Sequence, residues 1–287
     1  MNARSALFDL YGDHLRTRGG RAPVAALVRL LAPLGVAAPA VRTAVSRMVR
    51  QGWLEPVRLD AGPGYALTSR AVRRLDDSAA RIYRTGQTGW DGTWHLAATR
   101  LPAERSRRDR MRAGMTFLGF APLDDATWIG PRWTEEVDAL RETEGVRAER
   151  FTARHDGDSV GLVRRTWDVE GLGRAYGRWL VDARGLVPGP DDHNPGDKPG
   201  DNPGDNTNDG PQEQRDEAAF AARSRLVHEW RKFLFLDPGL PRVLLPADWP
   251  GDDAATFFDA ESERLRPPAT RFVDSCLDLT PEEPRDR

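Results

Sequence analysis

Apolar positions recur at helical period through the first third of the chain. Leu7, Leu10, Tyr11 and Leu15 share one face of a helix predicted over residues 3–18, with Asp9, Asp13 and Arg16 elsewhere. Gly19-Gly20 ends it. A second helix is predicted over 22–34, with Val24, Leu27, Val28 and Leu31 as its buried stripe. Val41, Val45, Met48 and Val49 then fall at i, i+4, i+7 and i+8 and predict a third helix over 38–51. Pro39 suits its first turn and Gly52 the position just past its end. From 54 to 59 the period shortens to two, and Pro56 marks that strand as an edge. Asp60-Ala61-Gly62-Pro63-Gly64 is turn chemistry, and 65–67 is the return strand. Three helices closed by a hairpin predict a winged helix, whose third helix is the reading element and whose hairpin is the wing.

Residues 68–85 form a further amphipathic helix, capped by Thr68 or Ser69. Val72, Leu75, Ala79, Ile82 and Tyr83 repeat at near-heptad spacing. That face suits a spacer, a dimer contact or burial within its own domain. After Trp90 strands and helices alternate. Strands are predicted at 94–101, 127–129, 147–154 and 160–166, and helices at 104–118 and 134–144. This β-α-β-β-α-β-like order predicts a ferredoxin-like domain. Helices follow at 167–183, 214–236, 254–265 and 269–277. The fold class is thus α+β and multidomain: a winged-helix domain over 1–88, a ferredoxin-like middle domain over 89–166 and a helical C-terminal domain over 167–287. Residues 188–213, with a near-repeat of Pro-Gly-Asp, read as a disordered acidic insertion in the last domain. The helices flanking it are expected to pack together. The spacing of its aspartates matches no calcium-binding loop.

Charge sharpens the reading of the third helix. The 287 residues carry a net charge of −2, but residues 1–89 hold 14 Arg against six acids, a net of +8. The remainder therefore carries −10. Such asymmetry fits a basic nucleic-acid-binding module on an acidic body. Between residues 38 and 51 there is no acid. Arg42, Ser46 and Arg50 line one stripe, with Thr43 and Arg47 beside it. A helix of this kind fits the major groove of DNA, where Arg side chains chelate guanine O6 and N7. The candidate DNA-binding residues are Arg42, Thr43, Ser46, Arg47, Arg50 and, on the wing, Arg58. The alternative for such a face is solvation on an unrelated bundle.

Enzyme chemistry finds little support. The single cysteine, Cys276, allows neither an internal disulfide nor a cysteine-based zinc site, and fits a cytoplasmic protein. The N-terminal residues lack the apolar run of a signal peptide. The five histidines show no metal-type pairing at short spacing, and no Ser-His-Asp order or Gly-rich phosphate loop occurs. A nuclease of the same middle fold would hold a metal with an acid at the end of its first strand. Here that strand ends Thr99-Arg100-Leu101. No catalytic, metal or cofactor residue is therefore assigned.

Four stretches resemble one family in order: FDLYGDHLRTRGG with LVRLLAPLG (8–35), VRTAVSRMVRQGWLEP with YALTSRAVRRLD (41–76), WDGTWHLAATRLPAERSRRDRMRAGMTFLGFAPL with WIGPR (90–132) and LVHEWRKFLFLDPGLPRVLLPADWPG (226–251). The chain resembles the PaaX-type transcriptional regulators, named for repression of phenylacetic acid degradation. The resemblance implies a homodimeric repressor of a catabolic operon, bound to a palindromic DNA operator and released by an aryl- or acyl-CoA thioester such as phenylacetyl-CoA. A thioester of that kind needs cations for its phosphates and an apolar slot for its acyl group. The candidates are Arg105, Arg107, Arg108 and Arg112, with Trp167, Arg174, Trp179, Trp230 and Arg231; core packing or a solvated face is the alternative for each. Two features depart from the family pattern: the wing tip is not basic, which leaves Arg58 alone there, and the acidic insertion is unlike the family norm. A ligand-independent DNA-binding or protein-interaction module, or an activator of the same fold, remains the alternative.

Overall fold

The structure, a computed structural model, describes residues 1–82, 89–187 and 209–278. In chain order the first elements are α1 (Ala3–Leu10), β1 (Arg21–Pro23), α2 (Val24–Leu31), α3 (Ala38–Arg50), β2 (Leu54–Leu59), β3 (Gly62–Leu67) and α4 (Ser69–Ile82). There follow β4 (Thr93–Thr99), α5 (Arg105–Phe117), β5 (Ala121–Pro122), β6 (Thr127–Gly130), α6 (Glu135–Thr143), β7 (Ala148–Arg154) and α7 (Ser159–Thr166). The last are α8 (Val169–Arg184), α9 (Asp209–Trp230), α10 (Phe233–Leu236) and α11 (Pro250–Leu277). The chain forms two compact units, one of residues 1–84, 180–230 and 255–287, the other of 85–179 and 231–254. The stretch expected as one C-terminal domain thus contributes to both.

In the first unit, α1 continues through a π-helical turn over Tyr11–Leu15 and a 3-10 turn to Arg18. Asn2 caps its start by accepting from the Ser5 N–H at 2.9 Å. The expected second helix is shorter than predicted. Residues 22–23 leave it and join Arg21 in β1, because 21–23 pair antiparallel with Gly64–Ala66 of β3. Its buried face also turns by about one residue, to Ala26, Leu27, Leu30 and Leu31. The sheet order β1-β3-β2 puts β2 at an edge, where Pro56 removes no ladder bond from a central strand. Thr68 receives the Ala71 N–H at 3.3 Å, and Val72 and Leu75 of α4 pack into the unit's own core. Tyr83 lies outside the described residues. Phe220 and Ala221 of α9, and Ala269, Phe272, Val273 and Cys276 of α11, join Leu7, Leu27, Val41 and Met48 in one core. Of the acidic segment, residues 188–208 lie outside the described residues and 209–213 open α9 as helix. On its two sides, Val187 packs against Ala219 and Ala222. The predicted pair of closing helices is one helix, α11, with Pro267 and Pro268 inside it.

In the second unit, β4 lies between β6 and β7 in an antiparallel sheet of order β5-β6-β4-β7. The β-α-β-β-α-β order is present, but its strands differ from those predicted. Residues 121–122 supply the second strand, and 160–166 are not a strand at all. Asp158 caps α7 there, accepting from the Gly161 N–H at 2.9 Å. Met111 and Met115 of α5 and Val137 of α6 cover one sheet face through Ala97, Phe120 and Trp128. Trp94, three residues before Ala97 and so on the other face, stacks on Trp167 with centroids 5.8 Å apart. The long helix predicted over 214–236 breaks after Trp230. Beyond the break Phe233 stacks on Tyr176, centroids 3.9 Å apart.

Candidate nucleic-acid interface

The third helix divides its residues cleanly between two faces. Val41, Ala44, Val45 and Met48 are buried; Arg42, Thr43, Ser46, Arg47 and Arg50 are exposed. Val49, predicted in the stripe, is half-buried, and Ala44 takes its place. A bonding turn of 3.6 residues gives these two faces, and burial of the apolar one fixes which way the arginines point. Among the described residues, no ion pair or hydrogen bond engages the side chains of Arg42, Arg47, Arg50 or Ser46. Other arginines of the same unit are committed. Arg16 pairs with Asp76 at 2.8 Å, Arg18 with Asp274 at 2.7 Å and Arg29 with Glu213 at 2.6 Å. Thr43 is partly engaged, its hydroxyl donating to the Pro39 carbonyl at 2.9 Å, which leaves its oxygen as an acceptor.

The hairpin sits directly after this helix. Gly64 allows β3 to approach β1: a Cβ there would lie 2.7 Å from the Ala22 carbonyl oxygen. Tyr11 ties the hairpin to the first helix through its hydroxyl, which donates to the Tyr65 carbonyl at 3.0 Å. Arg58 is exposed on β2, opposite Pro63, with the acidic Asp60 at the tip.

The residues proposed for an effector do not converge. Arg107 and Arg110 hold Glu144: Arg107 donates to its carbonyl, and Arg110 makes two bonds to its carboxylate at 2.9 and 3.0 Å. The Arg110 guanidinium holds the Glu144 carboxyl below its usual range. Arg105 is fully outward, 3.8 Å from Asp109. Trp230 belongs to the first unit's interior, stacked on Phe258 at 4.7 Å with its N–H donating to the Ile82 carbonyl. Trp179 is buried in the second unit against Phe233, and Arg231 has partners of its own. Two groups remain at cavities. Trp167 and Arg174 line one of about 720 Å³ with Arg164 and Trp249. Arg108 and Arg112 line another of about 530 Å³.

A second constellation escaped the sequence altogether. Asp9 and Asp13, predicted off the apolar face of α1, are buried. Asp13 accepts from Arg223 at 2.8 Å, and Arg223 also donates to the Ser262 carbonyl. Asp9 lies 2.7 Å from His228. His14 is buried beside Asp13, and burial outweighs that carboxylate, lowering the imidazole to about 4. A helical wheel shows these aspartates only as polar positions; their partners lie more than 200 residues away.

A mixed α+β chain with an exposed cationic helix, a following hairpin and a separate four-stranded unit defines a multidomain protein with a cationic candidate surface. Three family descriptions match it in order: PaaX-like protein over residues 2–71, PaaX protein central Cas2-like domain over 87–161, and PaaX-like protein C-terminal domain over 205–275. The chain belongs to the PaaX family of transcriptional regulators. Among its relatives is the transcriptional repressor PaaX of Escherichia coli (strain K12), 27% identical over 281 residues that cover 95% of this chain and 83% of the relative. The uncharacterized protein Rv0674 from Mycobacterium tuberculosis has a similar structure, with a TM-score of 0.62, 23% identity and coverage of 96% of this chain and 98% of that one. That likeness concerns the fold.

Proposed function

We propose that this protein is a cytoplasmic, DNA-binding transcriptional repressor whose N-terminal residues are a winged helix. The carrying observation is α3, with three exposed arginines that no acid of the described chain neutralises. An α-helix is about 10–12 Å across with its side chains, and the major groove is about 12 Å wide. Arg42 and Arg50, two turns apart on one stripe, span roughly 12 Å along the helix axis. In this reading Arg42, Arg47 and Arg50 meet base edges and phosphates. Ser46 and Thr43 add hydrogen bonds, Thr43 as an acceptor, and Arg58 alone reaches from the wing. Two protomers set two such helices in successive grooves of a palindromic operator, about one helical turn apart. The resemblance drawn from the sequence implies an aryl- or acyl-CoA thioester as effector. It acts by preferring the form that cannot span the operator; about 3 kcal/mol of differential affinity shifts the balance roughly a hundredfold.

The test is a gel-shift titration on the DNA upstream of this protein's own gene, with wild type and the Arg42→Ala/Arg47→Ala variant, each with and without phenylacetyl-CoA. Wild type should bind specifically and be released by the thioester, and the variant should bind at least tenfold more weakly. Equal binding by the variant would move the reading surface away from α3. Salt supplies an independent readout: log K falls by roughly 0.9 per phosphate neutralised for each unit of log salt. If both arginines contact phosphate, the variant's slope should be shallower by about 2 per protomer.

A further inference from the structure

A groove on the second unit gathers cations from two elements. It encloses about 530 Å³ and is lined by Arg100, Arg108 and Arg112, with Asp125 and the apolar Leu101 and Pro102. Arg108 and Arg112 are four residues apart on α5 and so share a face; Arg100 follows the end of β4. The other arginines of this helix are spoken for: Arg107 and Arg110 by Glu144, Arg105 by Asp109. Arg108 donates one N–H to the Ala103 carbonyl at 3.3 Å and keeps the rest of its guanidinium. Arg100 and Arg112 make no ion pair or hydrogen bond among the described residues, and Asp125 forms no ion pair with any of the three.

Like charges brought together on one helix face and one strand end repel. Among the described residues no ion pair answers that repulsion, Asp125 lining the groove without pairing, although Glu144 answers it for Arg107 and Arg110 on the same helix. Planar guanidinium groups bind tetrahedral oxyanions through paired N–H···O bonds, and two or three of them converging favour a multiply charged phosphate over a carboxylate. Leu101 and Pro102 leave room beside the cations for an uncharged part of the ligand. We infer that the Arg100–Arg108–Arg112 groove is a phosphate-binding site. The phosphates come either from a small nucleotide-type ligand or from the backbone of DNA. The inference rests on this groove alone and stands whether or not α3 reads DNA.

The experiment uses the full chain, as wild type, as Arg100→Ala/Arg112→Ala, and as Arg105→Ala, which removes a charge from the same helix but not from the groove. Melting followed by circular dichroism confirms that all three fold alike; if the double alanine variant does not, Arg112→Gln replaces it. Calorimetric titration with pyrophosphate and with ADP reads the small-ligand arm. The salt dependence of affinity for a non-specific duplex reads the DNA arm. For a small-ligand site, pyrophosphate binding should weaken at least tenfold in the groove variant and be unchanged in Arg105→Ala, with duplex binding untouched. For a DNA site, the duplex salt slope should become shallower by about 2 per protomer in the groove variant. If the groove variant matches wild type in both arms, or changes no more than Arg105→Ala does, the inference is overturned.

Discussion

Asp13 and Arg223 form an ion pair in which both side chains are at least 93% buried, the carboxylate being 5% and the guanidinium 7% exposed. Two charges taken out of water cost several kcal/mol each, and the pair repays this only while both members and their further bonds are in place. Arg223→Leu leaves Asp13 buried without its cation beside a neutral histidine. It should cost about 3–5 kcal/mol of unfolding free energy. Asp13→Leu/Arg223→Leu should cost less than the two single changes added, since neither charge is then stranded. Urea titrations of the four proteins measure both; a strictly additive double variant would mean that the pair is not coupled. His14 belongs to the same site and makes a prediction about pH. Its native value is about 4, because burial, with help from Arg223 and Arg18, outweighs Asp13; the unfolded chain has the ordinary 6.5. Between these values the unfolded state holds the extra proton. Stability from this group is therefore complete above about pH 6.5 and is lost as pH falls towards 4, by an amount of the order of 3 kcal/mol. Carboxylates titrate in part of the same window, so His14→Leu is the reference. The wild-type curve of stability against pH should fall more steeply than the variant's between pH 6.5 and 4, and parallel curves would count against a neutral His14.

The helix–hairpin element owes its geometry to close backbone approach as much as to its apolar stripe. At Gly64 a methyl group would meet the Ala22 carbonyl oxygen at 2.7 Å and Leu59 Cδ1 at 2.6 Å. The leucine can turn aside, but the carbonyl belongs to the β1–β3 pairing and cannot move without opening it. Gly64→Ala should therefore cost about 1–3 kcal/mol. Gly52, with a φ of +70° and open space at its Cβ, is strained by alanine through backbone conformation alone. Thermal melts rank the two against wild type, and an unaltered Gly64→Ala melt would show that β1 yields easily. This element also shows what a sequence carries. The residues of α3 and β2 were legible because local period and proline placement agreed; of β3 only 65–67 was, since Gly62–Gly64, which read as turn, are strand paired with Val57–Leu59. β1 was not: Ala22 and Pro23, which read as the start of a helix, become a strand with Arg21 only because Gly64–Ala66, some 40 residues on, offers them partners. The segment 160–166 failed for another reason. Its apolar residues suit either period, and the deciding feature was Asp158 as an N-cap, three residues before the Gly161 N–H it receives. The exposed arginines of α3 were legible from its stripe. The buried aspartates of α1, and the sorting of α5's arginines between Glu144 and the groove, depend on tertiary partners and left no local trace.

At the scale of the whole chain, the first unit is built from both ends of the sequence. The N-terminal residues up to 82 contain the basic helix, the hairpin and the helices beneath them, an arrangement that looks complete by element count. Its interior is not complete. Phe220 from α9 and Phe272 and Val273 from α11 are buried in the same core as Leu7, Leu27 and Met48. Phe220 and Phe272 are in ring contact, with centroids 5.2 Å apart. Burying an aromatic or aliphatic side chain contributes about 1.5–3 kcal/mol, so losing these three alone removes roughly 5–9 kcal/mol, comparable to the total stability of a small domain. The same cut strips Asp9 of His228 and Asp13 of Arg223, leaving two carboxylates facing an exposed apolar surface. Residues 1–82 expressed alone should therefore show no cooperative melt by circular dichroism and should bind a dye for exposed apolar surface. Adding residues 209–278 as a separate chain should restore a cooperative transition, because that segment carries the missing core residues and both ionic partners. In that case the candidate DNA surface is held in shape by the last helices of the chain, and a shift of α9 or α11 reaches α3 through the core that they share with α1 and α2. A fragment of residues 1–82 that melts cooperatively near the temperature of the full chain would refute this, and would make the C-terminal helices an attachment to the N-terminal core rather than part of it.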